Sequence, residues 1–149
     1  MKNRTYRYYT GKPEWGFGYG LSYSNFTYSP VTLSSTKLQA GESLAATVSV
    51  TNSSAIAGDE VVEAYLKTPQ AGGPIHSLAA FERVHLQAGE TREVTLHLEP
   101  RSLSSVDEKG DRSILPGKYE LTLASTQPDE TKTKAETSFT VTGTQPLPR

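Results

Sequence analysis

The chain of 149 residues has room for one folded core, and its 35% hydrophobic share suits short strands with polar outer faces better than a helical bundle. Fifteen basic against sixteen acidic residues leave a net charge of -1, which argues against nucleic acid or an anionic membrane as partner. With no cysteine, a disulfide framework, a thiolate metal site and a thiol nucleophile are excluded together.

No run approaches the roughly 20 apolar residues that a membrane-spanning helix needs. Charged and aromatic sequence follows Met1 at once, with no signal peptide, as expected of a piece of something longer. Nine of the thirteen aromatics lie between Tyr6 and Tyr28. Within that region Glu14 to Ser24 reads EWGFGYGLSYS. Drawn out, it sets Trp15, Phe17, Tyr19 and Leu21 on one side and Gly16, Gly18 and Gly20 on the other. Ordering each glycine costs about 0.5–1 kcal/mol relative to alanine, so the ribbon needs a surface to lie against. Burying each ring returns roughly 1.5–3 kcal/mol, which outweighs that cost. A strap between packed bodies is the expectation; a sugar-stacking platform of exposed rings is the rival.

Beyond Pro30 the pattern has period two. Strands are expected near 31–38, 43–52, 60–68, 78–86, 91–99, 117–125 and 135–142, with turn signals such as Gly58-Asp59, Ala71-Gly72-Gly73-Pro74 and Pro116-Gly117 between them. Leu44, Ala46, Val48 and Val50 alternate with polar or small residues, as do Val94, Leu96 and Leu98, and Tyr119, Leu121 and Leu123. Seven short strands predict an all-β, antiparallel two-sheet sandwich of the immunoglobulin or fibronectin type III kind. Leu38-Gln39-Ala40-Gly41-Glu42 recurs as Leu86-Gln87-Ala88-Gly89-Glu90, a turn whose glycine can take positive φ. Tyr119, after Leu115-Pro116-Gly117-Lys118, stands where a tyrosine corner would bond back to upstream backbone. Thr144 to Arg149 has no pattern and reads as a loose tail.

No catalytic constellation is evident. The carboxylates fall in turns (Glu42, Asp59, Glu90, Asp107, Asp111) or on outer strand faces (Glu93, Glu120), not paired across a cleft. His76, His85 and His97 read as surface residues without metal-pair spacing. Gly16, Gly18 and Gly20 do not make a dinucleotide loop, because Leu21 takes the third glycine's place and no helix follows. Neither cofactor nor metal is expected. Asn3, Asn25 and Asn52 open glycosylation-type triplets.

Asn3-Arg4-Thr5-Tyr6-Arg7-Tyr8-Tyr9-Thr10-Gly11-Lys12-Pro13, with Phe17-Gly18-Tyr19-Gly20-Leu21-Ser22-Tyr23 and Phe26, closely resembles the stretch of family 3 glycoside hydrolases that leads into their C-terminal fibronectin type III-like domain. Gly58 to Leu66 (GDEVVEAYL) and Leu78 to Glu90 (LAAFERVHLQAGE) extend the likeness, and Gly117-Lys118-Tyr119 and Ser125 to Pro128 complete it. Two departures stand out: Glu14-Trp15-Gly16 where the family has a proline-ended group, and Ala88 for a turn proline.

The resemblance implies a non-catalytic module of a β-glucosidase or β-xylosidase. The nucleophile and acid/base of such enzymes belong to domains upstream, and the parent is expected to be secreted or periplasmic. It implies a linker over 1–28, a sandwich over 29–142 and a disordered tail over 143–149. The partner would be the catalytic domains of the same chain, gripped through Arg4, Tyr6, Tyr8, Trp15, Phe17, Tyr19, Leu21 and Tyr23. Polysaccharide, held by the module on the parent's behalf, is the alternative partner.

Overall fold

The computed structural model describes residues 5–12, 14, 24–126, 128 and 133–148. A one-turn helix α1 (Thr5–Tyr8) precedes β1 (Phe26–Tyr28), β2 (Thr32–Leu33), β3 (Lys37–Gln39), β4 (Leu44–Asn52), β5 (Gly58–Lys67) and β6 (Ser77–Leu86). After them come β7 (Thr91–Leu98), β8 (Ser105–Val106), β9 (Arg112–Ile114), β10 (Gly117–Ala124), β11 (Lys134–Thr142) and β12 (Gln145–Leu147). In the first sheet β4 pairs with β7 along one edge, while β1 and β2 share the other. The second sheet runs β3-β11-β10-β5-β6, and β12-β9-β8 form a small third one. Every pairing is antiparallel except that of β3 with β11.

The alternation read from the sequence decides which faces meet. Leu44, Ala46, Val48 and Val50 of β4 and Val94, Leu96 and Leu98 of β7 turn inward, against Val62, Ala64 and Leu66 of β5 and Tyr119, Leu121 and Leu123 of β10. The ring of Tyr119 stacks on Phe139 at 5.3 Å between centroids, and both are buried. The Tyr119 hydroxyl donates to the Leu115 carbonyl at 2.8 Å.

The repeated five-residue motif builds the same turn twice. Gly41 and Gly89 adopt φ of 99° and 73°, a region that side chains strain to enter. The amide of Glu42 donates to Gln39 O, and that of Glu90 to Gln87 O, at 3.1 and 3.0 Å. Each glutamate then folds back: Glu42 Oε2 accepts from Gln39 N at 2.8 Å, and Glu90 Oε1 from Gln87 N at 2.9 Å. The acid in the motif therefore closes the turn with its own side chain, which holds the Glu90 carboxyl below its ordinary range, with help from Arg92.

Asn52 closes the corner between the sheets. Its side chain is fully buried. Nδ2 donates to Ile56 O at 2.8 Å and to Leu86 O at 3.2 Å, and Oδ1 accepts from Ser54 N at 3.0 Å. Its backbone amide donates to Glu90 O, and its carbonyl accepts from Gly89 N, both at 2.9 Å.

Four features depart from the sequence reading. The strand expected at 31–38 is two, β2 in the first sheet and β3 in the second. The hydroxyls of Ser34 and Ser35 bond Ala45 N and Lys37 O between them, which draws the backbone out of one ladder and into the other. Residues 26–28, assigned to the linker, form β1 and pair with residues 50–52. Residues 145–147, assigned to a loose tail, form β12 against β9, with Leu147 packed on the core. The short β8 and β9 lie where the sequence shows no alternating run.

Asn52→Ala removes the side-chain donor from the buried Leu86 carbonyl and the link to the Ser54–Ile56 loop, and is expected to lower unfolding free energy by about 1–3 kcal/mol. Chemical denaturation checks this; a loss under about 0.5 kcal/mol contradicts the bridging role.

Candidate functional site

Strand β5 carries the polar and aromatic groups of interest on both faces. Inward, the buried Glu60 reaches across to β1, where Tyr28 Oη donates to its Oε1 at 2.6 Å. Burial raises the Glu60 carboxyl above its ordinary value, more than the Tyr28 bond lowers it. The Tyr28 phenol is in turn pushed up, first by burial and then by the neighbouring carboxylate. Outward, Tyr65 donates to Glu63 Oε2 at 2.7 Å, and burial lifts that carboxyl as well. Glu60 and Glu63 stand three residues apart on one strand, so they face opposite sides and cannot flank one bond. Sequence reasoning missed both, since it found carboxylates only in turns and on wetted faces.

Tyr65 is only 1% exposed although its strand position faces outward. Its cover is α1 and the loop before β6. Tyr6 and Tyr65 meet edge to face at 6.4 Å, and His76 lies 5.5 Å from Tyr65 and 6.0 Å from Tyr6. His76 is thus buried, not at the surface as its loop position suggested, because the N-terminal segment lies over that loop. Two backbone amides fix the contact: Ile75 N donates to the Arg7 carbonyl at 2.8 Å and Leu78 N to the Tyr6 hydroxyl at 3.4 Å. Arg7 Nη2 also donates to Ser77 Oγ at 3.0 Å.

Of the residues named for interdomain contact, the described ones are Tyr6 and Tyr8 on α1, and of these two Tyr6 joins this aromatic group. Arg4, Trp15, Phe17, Tyr19, Leu21 and Tyr23 lie outside the described residues. Farther along the same outer face Phe81, opposite Glu63, is 66% exposed, and Val61 is 36% exposed. Beside them Asp59 takes Arg83 Nε at 3.1 Å and His85 Nδ1 at 2.5 Å, and the guanidinium foremost holds its carboxyl below the usual range. His97 is exposed on β7, as its polar position suggested. Among the described residues no cluster of His, Asp and Glu could hold a metal.

The raised Glu60 carboxyl fixes a sign. A folded-state pKa above the unfolded value favours the protonated form, so the stability it supports is full below the unfolded pKa and is lost as pH rises through the folded one. Glu60→Gln keeps an acceptor for Tyr28 without the charge. Its stability relative to the unchanged chain is expected to climb between pH 4 and pH 7 in parallel urea titrations; a constant or shrinking gap contradicts this. Tyr6→Ala is expected to speed amide exchange at Ile75 and Leu78 while β4 and β7 amides keep their rates.

Residues 60–127 match the fibronectin type III-like domain family. Over 146 residues, 91% of this chain, it is 36% identical to a Neosartorya fischeri protein named "Probable beta-glucosidase I". It is 33% identical over 86% of its length to a beta-xylosidase of Formosa agariphila. The fold superposes on the beta-glucosidase of Listeria innocua in complex with gluconolactone with a TM-score of 0.79, at 33% identity over 95% of this chain. The chain spans 17% and 18% of those two curated relatives and 20% of the Listeria chain. A sandwich of this form, matched along nearly all its length by a small fraction of such enzymes, is a fibronectin type III-like module of the kind that family 3 glycoside hydrolases carry at their C-terminal end.

Proposed function

We propose that this module braces the catalytic domains of a family 3 β-glycosidase from within the same chain, and contributes no catalytic group itself. The parent would hydrolyse terminal β-D-glucosyl or β-D-xylosyl residues. The observation that carries the reading is the outer face of β5 and β6. It already holds Tyr6 of the incoming segment, and next to that contact it leaves Phe81 66% exposed. An aromatic ring left in water on a flat sheet face supplies apolar area for a neighbour at no cost to the fold. In this proposal Arg4, Tyr8, Trp15, Phe17, Tyr19, Leu21 and Tyr23 continue the same grip toward the preceding domain.

The test compares one substitution in two settings. In the 149-residue chain Phe81→Asp is expected to move Tm by no more than about 2 °C, as an exposed substitution should. In the parent enzyme the same change is expected to lower the melting temperature of the catalytic portion by several degrees and to reduce kcat/KM. An unaltered parent overturns the bracing role. The chain alone is expected to leave chromogenic β-glucosides and β-xylosides uncleaved. Saturable binding of xylo- or cello-oligosaccharides, read from Trp15 fluorescence and abolished by Trp15→Ala, would instead establish polysaccharide targeting.

A further inference from the structure

A cleft of about 310 Å³ opens beside α1, where the β5–β6 loop meets the segment that leads into β8 and β9. Among the described residues its wall carries three guanidinium groups, Arg7, Arg101 and Arg112, and no carboxylate. Among the described residues none of the three forms an ion pair. Each is held by one neutral acceptor: Arg7 by Ser77 Oγ at 3.0 Å, Arg101 by Pro148 O at 3.1 Å, and Arg112 by Ser104 Oγ at 2.9 Å. A guanidinium has five N–H donors, so one such bond orients the group and leaves the others for a ligand.

In a chain with sixteen acidic residues against fifteen basic ones, three unpaired cations on one concave surface do not follow from average charge. Their mutual repulsion is relieved when an anion enters, and a concave wall of one sign focuses the field that attracts it. A carboxylate is one anion whose two oxygens match the guanidinium fork. The rest of the wall adds polar groups suited to a polyhydroxylated body: the Ser102 hydroxyl and the Gln70 side-chain oxygen, whose amide nitrogen is held by Val106 O. The volume lies at the lower end of the range for small-molecule sites, about 300–1,000 Å³.

We infer that this cleft is a binding site for a sugar acid, a hexuronate whose carboxylate is held by Arg7, Arg101 and Arg112. The experiment is a titration of the 15N-labelled chain at fixed ionic strength with sodium D-glucuronate, D-glucose and sodium acetate in separate arms. Glucuronate is expected to give saturable shifts at the amides of Ser77, Ser104 and Arg112. Glucose and acetate are each expected to bind at least about tenfold more weakly, because each lacks one half of the recognised chemistry. Arg101→Gln and Arg112→Gln, tested separately so that either fold defect is visible in the spectrum, are each expected to weaken glucuronate about tenfold or more. The inference is overturned if glucuronate gives no saturable shift, if glucose or acetate matches it, or if both well-folded variants bind as tightly as the unchanged chain.

Discussion

A single buried carboxamide holds the crossing point of this sandwich. The chain passes between sheets twice at one end, from β4 to β5 and from β6 to β7, and Asn52 stands where the two crossings touch. Its donors face Ile56 and Leu86, its acceptor faces Ser54, and its backbone bonds the Gly89–Glu90 turn. Buried backbone groups must find partners, and at a corner no strand ladder supplies them. One asparagine satisfies the loop, the last residue of β6 and the following turn together. The corner thereby ties the end of β4 to the approaches to β5 and β7, whose apolar faces enter the core from it.

The second constraint is the double use of β5. Its inner face contributes Val62, Ala64 and Leu66 to the core, yet at Glu60 the same face carries a carboxyl answered by Tyr28 from the opposite sheet. The outer face starts wetted at Asp59 and ends under cover at Tyr65, where α1 and His76 close over it. One strand thus supports packing, a polar link between sheets, and the seat of the incoming chain. The exposed Phe81 lies on the neighbouring strand, directly across from Glu63, so seat and free apolar surface are continuous.

What the sequence disclosed was what period and turn chemistry encode. Val94-x-Leu96-x-Leu98 and Tyr119-x-Leu121-x-Leu123 named their inner faces without ambiguity, and all six side chains are buried. The Leu-Gln-Ala-Gly-Glu repeat announced two glycine turns, though not that its glutamates close them, since that depends on side-chain reach and not on pattern. Elements of two or three residues left no period to read, and β8, β9 and β12 exist only because partners lie beside them. Tyr65 and His76 were illegible for a related reason: their burial comes from a segment about sixty to seventy residues away in the chain. The arginine cleft was hidden likewise, its three cations drawn from Arg7, Arg101 and Arg112 by the topology alone.

The pairing of β12 bears on where this module can be cut. An expression boundary drawn at the end of β11 would strip the strand from Ile114, uncover the core beneath Leu147 and release the Arg101 guanidinium from Pro148. Truncation of those last residues would therefore act at two distances, fraying a sheet edge nearby and unfastening one wall of the cleft. Fusion partners and affinity tags belong beyond Pro148, whose carbonyl holds Arg101.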